Sequence, residues 1–188
     1  MNLTEAKEYW KVRASELGYR YVGRVNHSAM EHFKFYDRKV DFIESKIPPH
    51  SRVLDFGCGV GMFSQLFNKY DYLGVDICEQ GIMDAKELNF KHRFQHIESY
   101  DDIKGTYDLI FCMNVLQHIG YVPPIIEEWK RVCPGGYIML MENHVEEHDH
   151  VFPRGVERYT ELIGKNFNIS EVESEEFEGN NLLMKFKV

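Results

Sequence analysis

Long apolar runs are missing from this sequence: no stretch approaches the roughly 20 residues that a helix needs to cross a bilayer. The N-terminal segment MNLTEAKEYW carries no apolar core of a secretory signal, so a cytoplasmic location and no membrane partner are expected. Cysteine is scarce as well. Cys58, Cys78, Cys112 and Cys133 show no CxxC spacing and lie in apolar or glycine-rich surroundings, which reads as buried thiols rather than disulfides. Positive charge is in deficit, with a formal net charge of −8. That argues against nucleic acid as the main partner, because such binders present a basic face to the phosphates. Lys11, Arg13, Arg20 and Arg24 form the one local basic grouping that runs the other way. Internal repeats, low-complexity tracts and an evident linker are absent too. What remains, 188 residues of which 44% are hydrophobic and 28% charged, suits one well-packed domain with a lid or cap, as a monomer or homodimer.

Two patterns follow one another along the chain. The first 47 residues read as helical and polar-aromatic, with a second helix expected from Met30 to Ile47, stopped by Pro48-Pro49. After them, short apolar runs alternate with helix-length segments: RVLDF, DYLGVDI, HRFQHI, YDLIFCMN and GYIMLMEN, then ISEVESEEF and NLLMKFKV. Such alternation indicates βαβ units around a parallel sheet, an α/β doubly wound fold. Only a few residues around Glu178-Gly179-Asn180-Asn181 join the last two strands. So short a link cannot make a parallel crossover, and this pair should be antiparallel.

The run Val53-Leu54-Asp55-Phe56 leads directly into Gly57-Cys58-Gly59-Val60-Gly61, after which a helix is expected over MFSQLFNKY. Glycines there permit positive φ and a close approach of backbone to ligand, and a helix N-terminus would add free N–H groups. The spacing is GxGxG, not the GxGxxG that holds a pyrophosphate. Asp55 sits two positions before the first glycine; its carboxylate would repel a diphosphate but suits an ammonium group. Asp76, about 20 positions beyond the first strand, is placed to accept from ribose hydroxyls, and Ile77 can lie on an adenine ring. A ligand with an adenine, a ribose and a cation but no phosphate is described by S-adenosylmethionine, with S-adenosylhomocysteine as its product.

With these motifs, residues 48–188 resemble the class I, Rossmann-like S-adenosylmethionine-dependent methyltransferases. VLDFGCGVG resembles the family's first motif, YLGVDI its second, HRFQHIES its third, YDLIFCMNVLQHI its fourth, and CPGGYIMLMEN its proline-glycine turn and fifth strand. The resemblance implies a seven-stranded sheet of order 3-2-1-4-5-7-6, a core over 48–188 and a helical cap over 1–47. It implies Asp55, Gly57, Gly59 and Gly61 near the methionine portion; Cys58 of the same turn, a small packing residue rather than a reactive thiol, and Asn114 after strand 4 complete the candidate cofactor-binding residues. It further implies Asp76 on the ribose, Ile77 on the adenine, and Glu98 with Ser99 near the adenine amino group.

Methyl transfer from a sulfonium asks chiefly for alignment, and for a base only where the acceptor must lose a proton. Candidate groups belong at the carboxyl ends of strands 4 and 5, which carry Asn114, Gln117, His118, Glu142, Asn143 and His144. His144 is the better candidate base. His118, in VLQHI, matches a histidine common in the family and reads first as a structural residue. The tract His144, Glu146, Glu147, His148, Asp149, His150 holds metal-ligand types. Metal-dependent relatives, however, place an aspartate just after strand 4, where this chain has Met113 and Asn114, so no functional metal is expected. DNA-amino, cytosine-C5 and protein-arginine methyltransferases are set aside because the fourth motif lacks [DN]PP[YFW], a Pro-Cys pair and paired glutamates.

A small-molecule acceptor methylated on O or N remains. Tyr9 and Tyr21, with Trp10, Tyr19 and His27, are candidates to close over it, and Arg154 or Arg158 to bind an acceptor anion. The alternatives are a nucleic-acid or protein acceptor, and a non-catalytic cofactor-binding partner subunit.

Overall fold

The computed structural model describes residues 3–17, 29–48, 52–145, 151–178 and 180–188. Its centre is the run Arg52–Phe56, strand β1, whose apolar residues alternate between two covered faces. Around it lie β2 (Asp71–Asp76), β3 (Arg93–His96), β4 (Leu109–Met113), β5 (Tyr137–Asn143), β6 (Glu171–Phe177) and β7 (Asn181–Lys187). They form one sheet of order β3-β2-β1-β4-β5-β7-β6. The first five strands pair in parallel and β7 runs antiparallel to both β5 and β6, as the short final link requires.

Period-two alternation decides which core each side chain enters. Ile110 and Cys112 of β4 face one side, with Leu54, Phe56, Ile138 and Leu140. That side is closed by α4 (Pro123–Val132), through Ile125, Ile126, Trp129 and Val132, and by α5 (Val156–Gly164), through Tyr159, Leu162 and Ile163. Leu109, Phe111 and Met113 face the other side, beside Val53, Met139 and Met141. There α2 (Ala29–Glu44) contributes Ile43, and α3 (Glu79–Leu88) contributes Ile82 and Ala85. Pro123 opens α4 at a position where its missing N–H costs nothing. The 15-residue helix α1 (Leu3–Leu17) packs on α3. Among the described residues no helix is long and apolar enough to cross a membrane.

Two helix expectations are corrected. The second helix stops at Glu44, three residues before Ile47, where Lys46 N–H bonds back to Ile43 O at 2.9 Å in a tightened last turn. More consequential is the segment after the glycines. Residues 62–70 form no α-helix; they make successive i→i−3 turns around the 3-10 helix Ser64–Phe67. Phe63 and Phe67 fill the core beneath this connection.

Candidate active site

The parallel strands present their carboxyl ends on one edge, the edge where doubly wound sheets bind ligands. Asp55, Asp76 and Glu142 lie at the ends of β1, β2 and β5, and Asn114 follows β4 directly. The structure therefore brings these four polar residues of the sequence reading to one rim.

The glycine turn is folded back on β2: Gly57 and Cys58 both donate their N–H to Val75 O, at 2.8 and 3.0 Å. Gly57 has φ 77 and Gly61 φ 74, in the left-handed region. A Cβ at Gly57 would lie 2.4 Å from Val115 Cγ2, and one at Gly61 2.8 Å from the Phe94 ring. The turn is thus pressed against the segment after β4 on one side and against β3 on the other. Gly59, φ 54, donates its N–H to Asp76 Oδ2 at 2.8 Å, and Cys78 N–H reaches Oδ1 at 2.8 Å. These bonds aim a half-buried carboxylate whose remaining lone pairs can accept further donors. Burial pushes the Asp76 carboxyl up while the backbone N–H groups pull it back.

Asp55 is buried and accepts a hydrogen bond from the Tyr72 hydroxyl at 2.6 Å. Desolvation pushes its carboxyl up to about 7; Tyr72 opposes this and the charge of Asp76 adds to it. Cys58 is buried too, and burial with the Asp55 and Asp76 charges pushes its thiol well up, so it packs and does not react. Ile77 is half-buried against the α4 side, its carbonyl accepting from His96 Nε2 at 3.2 Å. Glu98 is exposed and ion-paired with Lys7 of α1. Ser99 caps the 3-10 helix Tyr100–Asp102, in a capping box with Asp102.

Helix α1 crosses above this half of the rim. Besides Lys7, the carbonyl of Trp10 accepts from the Cys78 thiol at 3.8 Å, and Ala14 packs with Val60 and Cys78. The Trp10 ring meets His118 edge-on at 5.2 Å. Tyr9 lies on another face of the helix, shared with Glu8, Val12, Arg13 and Glu16. Tyr21, Tyr19 and His27 lie outside the described residues, as do residues 146–150 of the polar tract.

On the other half of the rim, polar groups form a chain. Lys39, from α2, is buried and donates to Asn114 Oδ1. Asn114, left-handed with φ 58, donates through Nδ2 to Gln117 Oε1 at 3.2 Å and to Asn181 Oδ1 at 2.8 Å. Gln117 Oε1 also accepts from the Asn143 backbone N–H, which fixes the amide orientation. Gln117 Nε2 is then the donor to His118 Nε2 at 3.2 Å, so that ring carries its proton on Nδ1. Glu142, wholly buried, accepts backbone N–H bonds from Val115 at 3.2 Å, Leu116 at 3.0 Å and Gln117 at 3.0 Å. Burial pushes it up to about 7 against the pull of those three bonds and of Lys39. It closes the 3-10 turn Leu116–His118 onto β5.

His144 donates from Nδ1 to Asn180 O at 3.0 Å, and its Nε2 lies 3.5 Å from Glu176 Oε1. Arg154 departs from the anion-binding expectation. Its terminal nitrogens reach four backbone carbonyls, Leu116 at 2.9 Å, Phe152 at 3.2 Å, Ile119 at 2.6 Å and Gly120 at 3.0 Å. The guanidinium stitches residues 152–154 to the turn after β4. Arg158 is exposed and paired with Glu161.

Tyr72, Lys39 and Asn181 were not singled out in the sequence as residues of the rim. Lys39 did leave a signal: it stands three residues after Tyr36 and four before Ile43, on the stripe that a helix turns inward.

A family model described as a methyltransferase domain matches residues 28–166. The mitochondrial ubiquinone biosynthesis O-methyltransferase of Saccharomyces cerevisiae is 30% identical over 105 residues, covering 50% of this chain and 33% of that protein. The ubiquinone biosynthesis O-methyltransferase of Coxiella burnetii is 33% identical over 112 residues, 54% of this chain and 48% of that protein. The match thus spans half or less of the length of these relatives. Among solved structures, magnesium protoporphyrin IX methyltransferase from Synechocystis PCC 6803 with bound SAM superposes with TM-score 0.70 at 18% identity, covering 98% of this chain and 95% of that one. Phosphoethanolamine N-methyltransferase 1 of Haemonchus contortus, in complex with phosphoethanolamine and S-adenosylhomocysteine, gives TM-score 0.74 at 15% identity, covering 98% and 48%.

Proposed function

This chain belongs to the methyltransferase-domain family, and we propose that it transfers the methyl group of S-adenosylmethionine to an oxygen or nitrogen of a small-molecule acceptor without a metal. The observation that carries this reading is the turn from Asp55 to Gly61 taken with Asp76. Two carboxylates flank a backbone turn that runs on into 3-10 turns rather than an α-helix. A pyrophosphate there would meet two negative charges and no α-helix dipole, whereas ribose hydroxyls and an ammonium group meet acceptors. The donor set fits S-adenosylmethionine.

Asp76 would hold the ribose, Asp55 with the glycine turn the amino-acid end, and Ile77 the adenine face. Glu98 and Ser99 would border the adenine edge, and Asn114 the sulfur side. When bound, the cofactor supplies an electrophilic methyl on a neutral leaving group, so the protein has mainly to align and enclose. Within residues 1–47, α1 serves as the cover, with Trp10 toward the rim and Tyr9 turned from it, α2 serves as a wall of the acceptor side, and Tyr21 is an acceptor contact. Where a proton must be removed, His144 is the base, since its Nδ1 is committed to Asn180 O. The lone pair of His118 Nε2 is taken by Gln117, which makes His118 a positioning residue. Relatives named for ubiquinone biosynthesis, for magnesium protoporphyrin and for phosphoethanolamine support a small acceptor, and they include both O- and N-methyltransferases.

A crystal structure with S-adenosylhomocysteine tests the reading. The ribose is expected on Asp76, with an enclosed cavity beside Asn114; an open basic groove would overturn the small-molecule acceptor.

A further inference from the structure

A buried ammonium stands at the rim next to the strand end where transfer is expected. Lys39 is 2% exposed, bonded to Asn114 Oδ1, and its Nζ lies 5.7 Å from the ring centre of Phe35, 5.9 Å from that of Tyr36 and 5.8 Å from that of Phe63. Asn114 is the first residue beyond β4, and Val115 after it is in contact with the glycine turn at Gly57. Phe63 follows that turn. The ammonium is therefore fixed between the two segments that would flank the sulfur of the cofactor. Glu142, pushed up to about 7 by burial, is drawn back by its three backbone N–H groups and, least, by the charge of Lys39. Polarisation runs onward in one direction, Lys39 to Asn114 to Gln117 to His118, each group donating to the next.

Resting on the methyltransferase reading, we propose that Lys39 sets the charge class of the acceptor: the pocket takes a small molecule whose nucleophile is an anionic oxygen, such as a carboxylate or phenolate, rather than an amine. A fixed cation beside a sulfonium disfavours that cofactor unless a negative charge comes between them. An anionic oxygen does so. As it attacks, the O–C bond forms, the C–S bond breaks and its electron pair passes to sulfur. Both charges vanish and no proton is left to remove. An amine would end as a cation beside Lys39 and would still have a proton to lose.

The test uses S-adenosylmethionine and S-adenosylhomocysteine, which differ by one methyl and one positive charge at sulfur, titrated calorimetrically into the full chain. Lys39→Met should lower the ratio Kd(S-adenosylmethionine)/Kd(S-adenosylhomocysteine) by about three- to tenfold. Lys39→Arg, which keeps the charge, and Lys34→Met, exposed on the same helix, should leave the ratio at the wild-type value. An unchanged ratio in Lys39→Met overturns the proposal. So does a folded Lys39→Met that no longer binds S-adenosylhomocysteine, since Lys39 would then hold the cofactor itself. The wild type gives a second reading that needs no variant. Its S-adenosylhomocysteine complex should bind benzoate at least about tenfold more tightly than benzylammonium, and equal or reversed affinities overturn the proposal. If the wild type binds neither cofactor form, the methyltransferase reading falls and takes this inference with it.

Discussion

Asp55 at the end of β1 and Glu142 at the end of β5 are both buried carboxylates that desolvation pushes up to about 7. Glu142 spends both oxygens on three consecutive backbone N–H groups of the turn after β4. Asp55 has a tyrosine hydroxyl on one oxygen and stands beside a glycine turn and a second carboxylate. Burial alone does not separate a structural acid from a site acid; the partners do. An acid whose lone pairs are consumed by main chain belongs to the fold. One held by a single side chain, at a turn built for close approach, retains capacity for a ligand.

Removing Glu142 should bring the largest loss. Glu142→Ala strands three backbone donors in the interior and should cost about 3 kcal/mol or more in urea unfolding. Glu142→Gln keeps an acceptor and should cost less. A Glu142→Ala protein within about 1 kcal/mol of wild type would break the contrast. Gly57→Ala comes next: a Cβ 2.4 Å from Val115 Cγ2, on a residue with φ 77, should cost about 2 kcal/mol and weaken cofactor binding. Asp55→Asn should have the smallest effect on stability near neutrality, because it removes a charge the interior resists while keeping an acceptor for Tyr72.

The same substitution sharpens the contrast through pH. Both carboxyls titrate near 7 in the folded chain, above their ordinary values. Over pH values between the ordinary carboxylate range and about 7, the folded state holds protons that the unfolded chain has released. Stability of the ligand-free protein should therefore fall as pH rises through that window and level off above it. Thermal midpoints measured across the window should decline for the wild type and decline less for Asp55→Asn, whose remaining slope belongs to Glu142 and Asp76. An identical slope in the two proteins would mean that Asp55 is charged throughout.

Much of the fold was legible because it rests on local rules. Alternation placed Leu109, Phe111 and Met113 opposite Ile110 and Cys112, and the short link before Asn181 forced the antiparallel end. The turn from Gly57 to Gly61 and the position of Asp76 were legible for the same reason, since both ligand chemistry and φ restrict the residue types. The 3-10 path after Gly61 was not, because the propensities of MFSQLFNKY do not separate 3-10 turns from an α-helix. Nor was the use of Arg154: a guanidinium serves an anion or four carbonyls equally well, and only tertiary placement decides. Lys39 was hidden by its type, since a lysine on a helix is read as solvated until its place on the buried stripe is counted.

On the proposed function, the rim around Asp55, Gly57–Gly61 and Asp76 binds an adenosyl sulfonium without phosphate. Calorimetric titration with S-adenosylmethionine, in the wild type and in Asp76→Ala, examines this without any variant of the acceptor side. One site per chain is expected in the wild type, with an affinity at least about tenfold weaker in the variant, the share of a charge-assisted ribose contact. No binding by the wild type, or equal affinity in Asp76→Ala, would contradict it.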